Sequence, residues 1–204
     1  MKLIKTLFLD IGGVLLTNGW DTPTRSKAIA HFKLDADQTQ ERHHMVFDTF
    51  ESGKMTLDAY LDYVIFYEVR SFTKDQFVHY MHEQSQRIEN SIEFFKAIKA
   101  KYTLRVIAIS NEPRELNNYR IRHFKLMELF DAVISSSFVH LRKPDVAIFK
   151  LAIDIAQSEE NNALYIDDRQ LFIEIARGLG VNGIQFTDLE EVKNKLKDFD
   201  LSLE

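Results

Sequence analysis

The chain has no cysteine among its 204 residues. That excludes a disulfide framework and any thiolate metal site. No apolar run approaches the roughly 20 residues of a membrane span, so no membrane association is expected. Positive charge is in deficit, with 26 Lys+Arg against 31 Asp+Glu and a net charge of -5. Affinity for a phosphate backbone needs a positive face, so nucleic acid is not an expected partner. Local basic residues remain free to hold one small anion. The seven histidines make no metal-ligand pattern; His43, His44, His79 and His82 fall in polar helical stretches and read as solvated surface. Met1-Lys2 runs into an apolar segment without a signal-peptide cleavage pattern, and the expected location is cytoplasmic.

What is present describes a globular protein, 45% hydrophobic and 28% charged. Its length fits one domain with a sizeable insertion, or one and a half domains. Apolar runs at 3–10, 103–110, 132–135, 163–167 and 182–186 read as strands buried on both faces, as a parallel sheet requires. Helical patterns separate them from residue 91 onward: Ile148, Leu151, Ala152 and Ile155 keep i, i+3, i+4, i+7 spacing. Thr187 with Glu190 is expected to cap the last helix. The fold class is α/β, a doubly wound, Rossmann-like parallel sheet. Residues 18–90 break the rhythm with four helical segments, about 22–33, 36–51, 56–69 and 73–88, the last capped by Thr73 with Gln76. The expected organisation is a core domain from 1–17 and 91–204, with an all-helical domain, 18–90, inserted after the first strand.

Four polar clusters fall at the ends of strands or in the loops after them. In a parallel sheet these share one edge, where open α/β proteins place their ligands. Asp10 closes Leu7-Phe8-Leu9 and precedes Gly12-Gly13; Ser110-Asn111 closes the second strand; Lys143-Pro144 stands ahead of a helix; Asp167-Asp168 closes Ala163-Leu164-Tyr165-Ile166. Each alone is an ordinary turn or cap. Together, three carboxylates at one edge repel unless a cation sits among them, and oxygen ligands suit Mg²⁺. A hydroxyl, an amide and an ammonium nearby suit the oxygens of a phosphoryl group.

This set and order resemble the haloacid dehalogenase (HAD) superfamily, and specifically its phosphatase-like members with a C1-type helical cap. The resemblance covers nearly the whole chain. It implies a Mg²⁺-dependent phosphatase acting on a small phosphorylated metabolite, as monomer or homodimer. By it, Asp10 is the nucleophile that forms an aspartyl-phosphate, Ser110 and Asn111 bind the substrate, and Lys143 balances charge. Asp10, the Gly12 carbonyl, Asp167 and Asp168 are the metal positions. The segment Glu51-Ser52-Gly53-Lys54 resembles the cap turn that points a side chain at the reaction centre, which makes Glu51 and Lys54 candidates for recognising the leaving group.

Two positions depart from the resembled pattern. The residue two after the nucleophile, usually the general acid–base aspartate, is Gly12; proton transfer of that kind is worth roughly 10² to 10⁴ in rate. Substitutes weighed for it are Glu51 and Asp21, or a leaving group that needs no proton. The residue four after Asp168 is Phe172, where Asn or Asp is common. Gly12 keeps two alternatives open: a slow or non-catalytic phosphate-ligand-binding protein, and a metal-independent 2-haloacid dehalogenase, for which Arg25 is the first arginine able to grip a carboxylate.

Overall fold

The computed structural model describes residues 3–203; Met1, Lys2 and Glu204, the extremes of the expected core domain, lie outside the described residues. Strands β1 (Thr6–Leu9), β2 (Arg105–Ser110), β3 (Ala132–Ser135), β4 (Ala163–Asp167) and β5 (Asn182–Gln185) form one sheet in the order β3-β2-β1-β4-β5. Every pairing is parallel, and Leu9 lies beside Ala108 on one side and Ile166 on the other. Side chains alternate between two apolar layers, as strand geometry dictates. Leu7, Leu9, Val106 and Ala108 pack under α5 (Ser91–Tyr102) and α10 (Leu189–Leu196). Phe8, Ile107, Ile109 and Tyr165 face the other way, against α8 (Val146–Ala156) and α9 (Gln170–Gly178). Helices α6 (Arg114–His123) and the short α7 (Ser136–Val139) complete the crossovers after β2 and β3. The doubly wound α/β arrangement is the one that the apolar runs predict.

Between β1 and α5 the chain forms α1 (Thr22–Phe32), α2 (Ala36–Glu51), α3 (Leu57–Val64) and α4 (Lys74–Glu83). Each begins on an oxygen-bearing side chain, Asp21, Asp35, Thr56 and Thr73, that accepts from the backbone N–H three residues on. That satisfies one of the donors every helix start leaves bare. The Thr73–Gln76 capping box is complete. These helices enclose their own apolar core, including Ala28, Phe50, Tyr60, Leu61, Val64, Phe77 and Met81.

Three boundaries differ from expectation. Helix α3 stops at Val64 rather than 69, and the Arg70 Nε donates to the Ile65 carbonyl left beyond its end. Helix α4 stops at Glu83 rather than 88 because the returning chain pairs with the departing one: Thr17 N donates to Gln86 O and Ile88 N to Leu15 O. A two-way backbone tie therefore joins the helical block to the sheet. Helix α10 is capped by Asp188, which accepts from Glu191 N, while Thr187 bonds the Glu191 carboxylate. The Thr187–Glu190 box was one residue out of register.

Candidate active site

The sheet order puts the ends of β1, β2 and β4 side by side, so Asp10, Ser110 and Asp167 reach one edge together. Lys143, from the loop before α8, is 1% exposed and lies between two of them. Its Nζ is 3.0 Å from Asp10 Oδ2, 2.7 Å from Asp167 Oδ2 and 3.1 Å from the Tyr165 hydroxyl. An ammonium buried this deeply stays charged only with such partners. Burial opposes its charge, but Asp10 and Asp167 more than offset that and raise its pKa.

The two partners divide the work. Asp167 is wholly buried and both its oxygens are engaged: Oδ1 accepts from Arg169 N at 2.8 Å, and Oδ2 takes Lys143 and the Tyr165 hydroxyl. Burial works against its charge, yet Lys143 and these hydrogen bonds hold the carboxyl below its usual range. Among the described residues the Asp10 carboxyl has Lys143 and the Ile11 N–H, at 2.7 Å, as its partners. Its pKa is raised to about 6: burial pushes it up, Lys143 pulls against that, and Asp167 and Asp168 push it up further. One carboxylate oxygen from each of Asp10, Asp167 and Asp168 lies within 4.8 Å of the other two.

Asp168 is where that crowding is least compensated. Its Oδ2 accepts from Asn18 Nδ2 at 3.2 Å, while its Oδ1 is buried without a partner among the described residues. Burial raises its pKa and the Asn18 bond only partly opposes this. A carboxylate with one unpartnered oxygen, clustered with two other carboxyl groups, has the donor chemistry of a hard divalent cation site. Gly13, at φ 72°, closes the turn; a side chain there would collide with the Asp168 carboxyl, so only glycine lets the loop come this near.

A cavity of about 450 Å³ opens above these groups. Asp10, Gly12, Ser110, Asn111 and Lys143 form its floor, and Trp20, Arg25, His43, Phe47 and Glu51 its helical side. Ser110 is 1% exposed, at the end of β2. Asn111 lines the cavity, but its amide is committed: Nδ2 donates to Lys143 O at 2.7 Å and Oδ1 accepts from Lys143 N at 2.8 Å. It fixes the lysine's backbone rather than offering a free amide. Phe172 puts its ring 5.0 Å from Lys143 Nζ, so the position supports the lysine through its π face.

The turn after α2 meets the core directly. Gly53 N donates to Phe50 O and Lys54 N to Thr49 O, a Schellman ending with Gly53 at φ 71°. A side chain on Gly53 would run into the Ser137 backbone. Glu51 lines the cavity and is paired with Arg142, whose Nη2 lies 2.6 Å from Glu51 Oε2 and whose Nη1 lies 2.6 Å from Asp48 Oδ1. Lys54 is not brought to the reaction centre. It is exposed and lines a separate depression with Asp48, His140 and Pro144. The Schellman geometry turns the chain away immediately after Ser52, so Glu51 faces in and Lys54 faces out.

Neither substitute for the missing proton carrier is unoccupied. Glu51 has Arg142, and Asp21 Oδ1 caps α1 by accepting from Thr24 N at 2.9 Å and Thr24 Oγ1 at 2.6 Å. Arg25 reaches the cavity wall with its guanidinium anchored on Trp20 O, Thr22 Oγ1 and Gln40 Oε1. Asn18 and His43 are site residues that the sequence does not single out, as are Tyr165 beside Lys143 and Arg142 beside Glu51. Asn18 sits in an unremarkable Asn-Gly turn, and only its approach to Asp168 marks it. His43 was read as surface, yet it is only 9% exposed and lines the cavity. Its place opposite Tyr60 depends on how α2 packs on α3, which local polarity does not encode.

A parallel sheet in this order, carrying a buried Asp–Lys–Asp cluster beneath a helical cover, defines a hydrolase class. The haloacid dehalogenase-like hydrolase family model matches residues 25–186, and the chain belongs to that family. Its fold is shared with the HAD family enzyme bt-2542 of Bacteroides thetaiotaomicron: TM-score 0.80, 18% identity, 94% of this chain and 98% of that one. A structure of the same enzyme in complex with magnesium and inorganic phosphate matches with TM-score 0.75 at 20% identity, over 93% and 98% of the two chains. The L-2-haloacid dehalogenase of Xanthobacter autotrophicus, with chloropropionic acid covalently bound, matches with TM-score 0.62 at 13% identity, over 98% and 85%. Among curated proteins, drimenol cyclase drtB of Aspergillus calidoustus is 28% identical over 201 residues, 95% of this chain. The chain spans only 36% of that relative's length.

Proposed function

We propose that the chain is a Mg²⁺-dependent phosphomonoesterase acting on a small phosphorylated metabolite through an aspartyl-phosphate on Asp10. The observation that carries this reading is the charge layout at and beneath the cavity floor: an ammonium between Asp10 and Asp167, with Asp168 in the same cluster of carboxylates and one of its oxygens without a partner among the described residues. The complex of bt-2542 with magnesium and inorganic phosphate supports it.

Asp10, Asp168 and the Gly12 carbonyl would hold the cation, with Asp167 retained by Lys143 rather than spent on the metal. When bound, a divalent cation supplies Lewis-acid charge neutralisation at the phosphoryl oxygens. The rest falls to the chain. The Ser110 hydroxyl and the Lys143 ammonium hold the phosphoryl oxygens. An Asp10 carboxylate oxygen attacks phosphorus, the bond to the leaving oxygen breaks, and that oxygen departs with the electron pair. Water then attacks phosphorus, the bond from phosphorus to the Asp10 oxygen breaks, and the Asp10 carboxylate is released as inorganic phosphate leaves carrying the protons of the water. Gly12 offers no proton to the departing oxygen, so the reading favours leaving groups that depart as stable anions, such as acyl or anomeric phosphates.

The test is an assay of the purified protein on acyl, anomeric and p-nitrophenyl phosphates with Mg²⁺ and with EDTA, beside Asp10→Asn. Turnover lost in both controls is the expected result, and a fully active Asp10→Asn sinks the reading. The second reading, a phosphate-binding protein without turnover, rests on the Asn18 amide standing where a proton carrier belongs; binding without hydrolysis across the panel selects it. Halide release in EDTA would select a dehalogenase instead.

A further inference from the structure

Beneath the cavity's helical wall three side chains from three segments form one hydrogen-bond chain. The Trp20 indole Nε1 donates to the Tyr60 hydroxyl at 2.9 Å, and that hydroxyl is 2.8 Å from His43 Nδ1. Tyr60 is fully buried, and its hydroxyl has no further partner among the described residues. An indole N–H can only donate, so the tyrosine oxygen accepts from Trp20. The tyrosine proton then has one acceptor in reach, the lone pair of His43 Nδ1. The opposite arrangement, with Nδ1–H donating to tyrosine, would leave a buried hydroxyl proton unbonded at a cost of about 1–3 kcal/mol.

The chain therefore fixes the tautomer: Nδ1 bare, Nε2 protonated. His43 Nε2 has no protein partner among the described residues and is not one of the sealed buried polar atoms, while the imidazole lines the cavity. The ring is held on its other sides by Tyr60, centroid to centroid 5.9 Å, and by Phe47 at 5.7 Å. Burial, with Arg25 beside it, keeps the imidazole neutral. An uncharged, oriented N–H in the cavity wall, between the Trp20 and Phe47 rings and the Glu51–Arg142 ion pair, is suited to recognition.

We infer that His43 is a specificity-determining residue, whose Nε2–H, set by the Trp20–Tyr60 chain, donates to an uncharged oxygen acceptor (a hydroxyl or carbonyl) on the part of the ligand beyond the phosphorus. This rests on the phosphate-ligand reading of the cavity floor and adds the chemistry of the other end of the ligand. A purely aliphatic ligand covers the donor without pairing it, which penalises it.

The test uses non-hydrolysable probes, so that turnover is not required: straight-chain alkylphosphonates of three to five carbons, each bearing a terminal hydroxyl or a terminal methyl. Affinities are measured by calorimetry with Mg²⁺ for wild type, His43→Leu and His43→Gln. The wild type is expected to prefer the hydroxylated member of at least one pair by roughly ten-fold, the worth of one well-placed hydrogen bond. His43→Leu is expected to bring the ratio near one through weaker binding of the hydroxylated probe alone, and His43→Gln to restore part of it. In parallel, long-range ¹⁵N spectra of the imidazoles should show His43 as the Nε2–H form, and Tyr60→Phe should convert it to a mixture. Equal affinities in every wild-type pair, an unchanged ratio in His43→Leu, or an Nδ1–H signature overturns the proposal while phosphonate binding keeps the phosphate reading. Failure of every phosphonate to bind overturns both.

Discussion

The Asn18 Oδ1 stands 2.7 Å from the point where a side chain on Gly12 would begin. The same amide donates to Asp168 at 3.2 Å, so it is not free to swing away without releasing that carboxylate. Gly12 and Asn18 thus form a pair. Restoring an aspartate at position 12 by itself is expected to lower thermal stability and leave turnover unimproved. Gly12→Asp with Asn18→Gly should fold better than Gly12→Asp alone and hydrolyse simple alkyl phosphates faster than wild type, by roughly 10²-fold or more if the proton carrier is recovered. Thermal melts and kcat/KM on an alkyl ester for the three variants measure both effects.

Lys143 neutralises two buried carboxyl groups at once. Removing one member of a buried ion pair leaves the other charges uncompensated, which typically costs about 3–5 kcal/mol. Lys143→Met should therefore lower the urea midpoint as well as abolish activity. A variant that unfolds at the wild-type midpoint would contradict the charge layout described.

The orphaned Asp168 oxygen predicts a stabilisation by divalent cation. A ligand that binds only the folded state adds about 2.7 kcal/mol at a hundred times its Kd. Adding Mg²⁺ should raise the melting temperature of wild type in a saturable way, and Asp168→Ala should show no such rise. Sodium at matched ionic strength controls for screening.

His43 gives a pH signature with a definite sign. Its pKa is lowered from 6.5 to about 3 in the folded chain, chiefly by burial and further by Arg25. Between those values the unfolded chain binds a proton there and the folded chain does not. Its contribution is thus undiminished above pH 6.5 and lost progressively as pH falls towards 3. The slope is at most about 1.4 kcal/mol per pH unit. His43→Leu should flatten the stability–pH curve across that window, as read by urea melts at pH 4.5, 5.5 and 7.

The sheet and the position of its chemistry were legible because buried parallel strands are written as apolar runs, and the residue that ends each run is at the ligand edge by topology alone. Asp10, Ser110 and Asp167 needed no knowledge of packing. The contributions of Asn18 and His43 were not legible, since each acts through a residue distant in sequence, Asp168 and Tyr60. Asn111 and Lys54 show the same limit from the other side. Both stand near the motif, but the Lys143 backbone absorbs the first and the Gly53 turn carries the second out of the cavity. Helix ends at 64 and 83 were missed for a related reason, because an Arg70 bond and a backbone tie to the β1 exit hold the adjoining segments outside the helices.

Arg142 and Lys143 are consecutive, yet one grips the α2 carboxylates of the helical cover and the other the carboxylates of the floor. The stretch they share is also clamped from the core, where the Asn111 amide bonds both Lys143 O and Lys143 N. Two neighbouring residues thus tie the helical cover and the floor to one anchored length of backbone.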